Sequence, residues 1–563
     1  MRREVSVVNK KVCSFPILFA LLALVVGTCA VVFPASAQAA PTSTGSITVS
    51  GTVASSYDAY QIFSANVVDG DSDAKIATDL AWASNAVRDA ALPVLHSAGM
   101  PKSQTTAQEA AEWLNTDSHL TSALSAQLAR SLQSSGAVPV ALNAGTTAEL
   151  PCGYWLIVAD DDAIAQGEAG TAPIMALVGG SAVTVKPKAA TPKVSKHVLE
   201  DSTAAWQKAA DATVADDLYW RLSATVPAGL TAYDTYTVRF VDTMSAGLDP
   251  SEVAASMRVY VAAGADGGFD AVQTGKDGRA GTEPTKGWTD ITAQCATKVA
   301  VDGKTFTVRT GDLIAALGGA DAFTAGARVV AVYNAPLNSA CNHGIAKGNP
   351  NEVYLRYPRS PFADQSGDAG FTRTPSDDAC AYTWDLALTK RGSDGDKPLA
   401  GAVLSIADDR GRTLAADGTW DAEGKATVTT GEDGRVTVSG VDSGKLEVRE
   451  LKAPKGYTAF EGARSVTVKA EGLDVDQVAA AKPKLTITAE SPLRADSADG
   501  STGSLEASLI NTPTGTPPSI TTGGFMPSTG DMAMYAAAAA AVAGAALIVV
   551  ALLVKRGGGS HKE

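Results

Sequence analysis

Three polar residues each close an apolar strand face near the C-terminal end of the chain. In WDLALTK (384–390), Trp384, Leu386 and Leu388 alternate with Asp385, Ala387 and Thr389, and Lys390 is next on the apolar side. In KLEVRE (445–450), Leu446 and Val448 share a face with Glu450. In SLEASLIN (504–511), Leu505, Ala507 and Leu509 share a face with Asn511. Successive strand side chains point to opposite faces, so an amine, a carboxyl and a carboxamide all aim inward. Singly, each reads as a strand-end residue turning to solvent, the lysine by snorkelling. Together they fit one reaction. An unprotonated Lys390 amine attacks the Asn511 side-chain carbonyl, ammonia leaves, and an isopeptide bond remains. Burial disfavours the charged forms of lysine and glutamate, so both are expected neutral at pH 7. A neutral Glu450 then donates a hydrogen bond to the Asn511 oxygen and shuttles protons. The apolar shell excludes water, and the fold supplies proximity.

The elements that must position these groups lie in the last of three body domains. Residues 381–512 are short strands between turns such as SDGD, DDRG, GEDG and DSG, a β-sandwich pattern. Upstream, 41–187 reads as a mixed domain. Strands are expected over 46–66, 153–158 and 173–178, with helices between. Thr106 and Glu109 form a capping box, and Leu120, Leu124, Leu128 and Leu132 recur at helical spacing. The segment 186–196 (KPKAATPKVSK) is extended by Pro187 and Pro192 and opens a second β-sandwich, 188–361. Residues 362–380 are polar and Gly/Asp-rich, and read as a boundary. The stretch 513–525 reads as a linker. The chain is thus expected to be mainly β, with tandem immunoglobulin-like sandwiches behind a mixed α+β N-terminal domain.

The chain has 563 residues, 45% hydrophobic and 19% charged, which suits a globular body of about three or four domains. A net charge of −14 argues against nucleic acid as a partner. Arg2, Arg3, Lys10 and Lys11 precede an apolar run from Val12 to Phe33 and the small-residue sites Ala35-Ser36-Ala37 and Ala37-Gln38-Ala39. This is a secretory signal peptide, 1–39, with a retained anchor as the alternative. Near the other end, Met532–Val554 is uncharged and long enough to span a bilayer, which takes roughly 20 residues. Lys555 and Arg556 begin a cytoplasmic tail, 555–563, so the body is extracellular.

Cys13 and Cys29 leave with the signal peptide. Cys152, Cys295, Cys341 and Cys380 remain, and four cysteines allow three pairings. Cys295 with Cys341 is the favoured disulfide, because both fall in one expected domain. Cys152 and Cys380 read as free buried thiols. No CxxC pair exists, and the five histidines form no metal spacing. DGDSDA (69–74) lacks the glycine and distal glutamate of a calcium loop. Neither a metal nor a cofactor is expected. GxSxG, HExxH and P-loop motifs are absent, so no enzyme is expected beyond autocatalytic bond formation.

LEVRELKAPKGY (446–457) resembles the glutamate box of CNA-B-type domains, roughly YxLxETxAPxGY. Glu450, Ala453, Pro454, Gly456 and Tyr457 match, while Leu446 and Leu451 depart from it. LTKRGSDGDKPLAGAVLSI (388–406) resembles the opening of such domains. The resemblance implies Lys390 as bond donor, Asn511 as acceptor and Glu450 as the assisting acid. MPSTG (526–530) resembles the LPxTG sorting motif of Gram-positive surface proteins, with Met526 in place of leucine, followed by Pro527, Ser528, Thr529 and Gly530. The resemblance implies that a sortase attacks the Thr529 carbonyl, releases Gly530 and the tail, and passes the acyl group to an amine. SAVTVKPK (181–188) resembles the pilin motif, roughly WxxxVxVYPK: Val183, Val185, Pro187 and Lys188 match, Lys186 stands at the tyrosine position, and the tryptophan position is not filled. Lys186 and Lys188 lie opposite the apolar face; Lys188 is the expected polymerisation lysine, with Lys186 the runner-up.

The order of parts resembles a sortase-assembled backbone pilin of Gram-positive bacteria. That implies a covalent homopolymer of this chain at the cell wall that supports adhesion. The implied partners are a class C-type pilin sortase, a housekeeping sortase and minor or tip pilins. The alternative is a monomeric wall-anchored adhesin or minor pilin. In the middle domain, PKVSKHV (192–198) and YTVRFVDTMSAGL (236–248) resemble pilin marker stretches and point Lys196 and Asp242 inward as candidate donor and acid. The closing stretch GNPNEVYLRYPRSP (348–361) carries Tyr357-Pro358-Arg359 where the family has Tyr-Ser-Asn. Asn351 has the right parity to substitute as acceptor. Asp242 alternatively forms a buried ion pair with Lys196 or Arg359. Lys75 and Lys102 sit on no clear strand face, so no cross-link is expected in the N-terminal domain.

Overall fold

The structure, a computed structural model, describes residues 43–515 apart from 72–73, 117, 171, 188–190, 229, 265–286 and 300–303. The expected signal peptide (1–39), Lys188, the expected sortase motif (526–530), the apolar stretch 532–554, the expected tail (555–563) and most of the expected linker lie outside the described residues. Among the described residues no helix is long and apolar enough to cross a membrane.

The chain is mostly β, arranged as packed sheets, with helices Asn85–Ser97, Ala107–Asn115 and Ser122–Ser134 confined to the N-terminal part. There the long strand Ser56–Asp69 pairs with Lys75–Trp82, Val140–Asn143 and Gly153–Ala159. Ile62, Leu156 and Val158 pack under the helices, whereas Ala59, Trp155 and Ile157 pack against Ile47, Val49 and Val178. A sheet buried on both faces explains why Gly153–Ala159 reads as an unbroken apolar run. Thr106 Oγ1 accepts from Glu109 N at 3.2 Å and Glu109 Oε2 accepts from Thr106 N at 2.9 Å, closing the expected capping box. Lys75 opens its strand with a side chain only 11% exposed, and its Nζ donates to Ser181 O at 2.6 Å and to the Gly179 carbonyl. Strand Val183–Val185 runs parallel to Thr44–Val49 with Val185 buried, and Lys186 beyond it is exposed.

The middle domain is a sandwich of two sheets. One orders Ala205–Gln207, Val194–Glu200, Tyr219–Thr225, Arg328–Asn334, Arg258–Ala262 and Thr289–Asp290. The other orders Ala209–Asp211, Asp377–Tyr382, Asn349–Pro358, Arg239–Met244, Thr305–Arg309 and Ala296–Val299. The expected boundary over 362–380 is corrected here. Phe371–Arg373 and Asp377–Tyr382 both pair with Asn349–Pro358, so this sandwich runs to Tyr382. Its buried alternation there is carried by Ala379 and Ala381, small residues with a weak hydropathy signal.

The expected Cys295–Cys341 disulfide is also corrected: Cys152, Cys295, Cys341 and Cys380 are all free thiols. Cys295 follows the turn Thr292–Gln294 and its Sγ donates to Ile291 O at 3.3 Å, whereas the Cys341 Sγ lies 3.5 Å from His343 Nε2. Both belong to one apolar core, but a bond requires Cβ atoms about 3.5–4.5 Å apart, which a shared domain does not ensure.

The C-terminal domain is a second sandwich. One sheet orders Arg435–Val441, Trp384–Gly392, Ser504–Pro513 and Tyr457–Thr458, and the facing sheet carries Val403–Ala407, Gly444–Lys452 and Ala463–Glu471. The first strand, Trp384–Gly392, lies parallel and adjacent to the last, Ser504–Pro513. This domain is fastened to the middle one through Asp211, whose Oδ2 accepts from Trp384 Nε1 at 2.7 Å and Ser443 N at 3.0 Å. Arg412 adds a two-pronged contact to Asp216 at 2.5 and 2.9 Å.

Candidate functional site

Lys390, Glu450 and Asn511 meet between the two C-terminal sheets. The strand periods behave as their sequences require. Trp384, Leu386 and Leu388 are buried with Lys390, Leu446 and Val448 with Glu450, and Leu505, Ala507 and Leu509 with Asn511. Lys390 is 1% exposed, Glu450 6% and Asn511 2%. Lys390 and Asn511 come from neighbouring strands of one sheet, and Glu450 reaches them from the facing sheet. The Lys390 backbone is held on both sides: its N–H donates to Gly434 O at 2.8 Å and its carbonyl accepts from Leu399 N at 2.9 Å. Gly434 adopts φ +72°, and a Cβ there would lie 2.8 Å from Lys390 O, so a side chain at this turn would push the lysine strand away.

Lys390 Nζ donates to Asn511 Oδ1 and lies 3.2 Å from Glu450 Oε1. Asn511 Nδ2 donates to both Glu450 oxygens, at 2.9 and 3.0 Å. Phe460 N donates to Glu450 Oε2 at 3.2 Å and fixes the carboxyl. The expected Glu450 contact is with the asparagine oxygen; the carboxyl sits instead against the nitrogen, Nδ2. Burial pulls the Lys390 amine down to about 8, against the opposing pull of Glu450. An amine so placed carries a neutral fraction near physiological pH, with a carbonyl and an acid in contact.

The middle domain holds a related cluster. Lys196, Asp242 and Asn351 are each fully buried between its sheets. Lys196 Nζ contacts Asp242 Oδ2 and donates to Tyr333 Oη at 2.9 Å. Tyr333 Oη donates to Asp242 Oδ2 at 3.1 Å and accepts from Asn351 Nδ2 at 2.8 Å. Burial lowers the Lys196 amine to about 8 and raises the Asp242 carboxyl. Of the two ion-pair alternatives for Asp242, Lys196 is the partner. Arg359 lies at the junction with the N-terminal domain, where its Nη1 donates to Asp161 O at 3.1 Å.

Tyr333 was not among the expected site residues. Its signal lay in RVVAVYN (328–334), where Val329, Ala331 and Tyr333 share the core face and the phenol needs a partner. Lys208 and Asp377 were also unforeseen. Asp377 Oδ2 accepts from Lys196 N at 2.6 Å and from Lys208 Nζ, holding the Lys196 backbone in place.

Residues 385–482 match the family model described as SpaA: Prealbumin-like fold domain. Over 134 residues, 22% of this chain, the sequence is 31% identical to the trypsin-resistant surface T6 protein of Streptococcus pyogenes serotype M6. That match covers 23% of the relative's length. Among solved structures, the T6 backbone pilin of serotype M6 Streptococcus pyogenes is 17% identical, with a TM-score of 0.45 over 84% of this chain and 98% of that one. The major pilin SpaD of Corynebacterium diphtheriae is 15% identical, with a TM-score of 0.40 over 84% and 98%.

Proposed function

We propose that this chain is the structural shaft subunit of a cell-wall-anchored covalent pilus that supports adhesion. In this reading it is stiffened by a Lys390–Asn511 isopeptide bond and polymerised by sortase through Thr529 and Lys188. The observation that carries the reading is the meeting of Lys390, Glu450 and Asn511 between the first and last strands of a domain. A place at the cell surface agrees with the name of the similar trypsin-resistant surface T6 protein.

Lys390 passes a proton to Glu450, and the neutral Nζ forms a bond to Asn511 Cγ. Glu450 delivers its proton to Nδ2 and recovers one from Nζ. The Cγ–Nδ2 bond breaks and ammonia leaves. An amine and a primary carboxamide become a secondary amide and ammonia, with Glu450 left protonated. Water is kept out by Leu388, Leu404, Val448 and Leu509. The fold acts once on itself and is no enzyme toward other molecules.

The intact mass of the full chain tests this. Each closed bond makes it one ammonia lighter than its sequence, and a mass equal to the sequence mass would refute the cross-link.

A pH dependence follows for Asn511→Ala, which has no acceptor. Its Lys390 stays a buried amine near 8, against about 10.4 when unfolded. Between those values the unfolded state binds more protons, so the variant gains stability as pH rises from about 8 to 10. In the wild type that amine is an amide and does not titrate. The wild-type advantage in melting temperature should therefore narrow over that window; a constant difference would contradict the assignment.

A further inference from the structure

The two clusters differ in how the acid reaches the carboxamide. In the C-terminal domain both Glu450 oxygens bond Asn511 Nδ2 directly. In the middle domain the acid is an aspartate, one carbon shorter. Asp242 Oδ2 is taken up by Lys196 and Tyr333, and Asp242 Oδ1 has no hydrogen-bond partner. The gap to Asn351 is filled by the Tyr333 hydroxyl, which touches Lys196 Nζ, Asp242 Oδ2 and Asn351 Nδ2 at once. Asn351 Oδ1 is likewise buried without a partner. A plain structural ion pair between Lys196 and Asp242 does not explain a carboxamide held by its nitrogen alone, because an unpaired buried acceptor costs about 1–3 kcal/mol.

We propose that Tyr333 is a catalytic residue of a second isopeptide bond, between Lys196 and Asn351, in which its hydroxyl relays a proton from Asp242 to the departing nitrogen. The inference rests on the cross-linking reading of the C-terminal domain and adds to it a residue and a route. Lys196 first passes a proton to Asp242. The neutral Nζ bonds to Asn351 Cγ, the carbonyl electron pair moving to Oδ1. Tyr333 gives its hydroxyl proton to Nδ2 and takes one from Asp242, a hydroxyl being both donor and acceptor. Nζ returns a proton to Asp242, the Cγ–Nδ2 bond breaks and ammonia departs. The products are a secondary amide, ammonia and a neutral Asp242, the form that its fully buried position favours. The new bond would tie Val194–Glu200 of one sheet to Asn349–Pro358 of the other.

The test is a peptide map of the full-length chain, sampled at intervals after synthesis, for wild type and Tyr333→Phe. The phenylalanine keeps the edge-on contact with Phe306, at 4.8 Å between ring centres, and removes only the hydroxyl. Wild type is expected to yield a peptide pair joined through Lys196 and Asn351, one ammonia lighter than its parts. Tyr333→Phe should join that pair about a hundredfold more slowly, the size of a lost general acid. The Lys390–Asn511 pair in the same sample reports that the chain has folded. Joining at the wild-type rate in Tyr333→Phe would overturn the role of Tyr333. A wild-type chain with Lys390–Asn511 joined but Lys196 and Asn351 free would overturn this inference alone. Neither pair joined would refute the C-terminal cross-link as well.

Discussion

Glu450→Gln is expected to keep its full sequence mass at the C-terminal site and to melt far below the wild type. Glutamine preserves the size and most hydrogen bonds of Glu450 but cannot take the Lys390 proton or deliver one to Asn511 Nδ2. The bond would close a loop between residues 121 apart in sequence. A cross-link around a loop of roughly 100 residues restricts the unfolded chain by about 4–5 kcal/mol. For a domain of this size that corresponds to a loss on the order of 15 °C in melting temperature. Calorimetry with intact mass on the same sample checks it. A variant that loses ammonia normally, or melts with the wild type, would remove Glu450 from the chemistry.

The same bond, once formed, would have a mechanical consequence. Tension entering at Trp384 would run along the first strand to Lys390, cross to Asn511 and leave at the end of the last strand. Residues 391–510 would then bear no load, and the parallel ladder between the two strands would not need to resist shear. Without the bond, that ladder and the buried core resist alone.

Lys188→Ala should abolish the high-mass ladder on cell-wall blots while leaving a wall-linked monomer. In the proposed polymerisation the Thr529–Gly530 bond would break and the Thr529 acyl group would pass to an amine that an external enzyme can reach. The parity of 183–187 turns Val185 inward and Lys186 outward, which the burial of Val185 and exposure of Lys186 match. By sequence period alone, Lys188, two residues further on, is expected on the same side as Lys186. Lys390 and Lys196, buried between sheets, are closed to a sortase. An unchanged ladder in Lys188→Ala would defeat the assignment. Its collapse only in Lys186→Ala would move the assignment to the runner-up, and a wild type without any ladder would favour the monomeric adhesin.

Strand period, a local property, determined much of this protein. It placed Lys390, Glu450, Asn511, Lys196, Asp242 and Asn351 on inward faces, because a pleated strand sends alternate side chains to opposite sides whatever its neighbours are. Helix spacing and the Thr106–Glu109 box were equally local. What only the tertiary structure decided depends on pairing between distant segments. Period does not say that Tyr333 stands opposite Asp242 and Asn351, nor that Glu450 faces the asparagine nitrogen. It does not say that Asp377–Tyr382 completes the middle sandwich, because alanines carry the buried face there. Nor does membership of one domain bring Cys295 to Cys341. Inward direction is written residue by residue, whereas which inward groups touch is set by strand order and register across more than a hundred residues of chain.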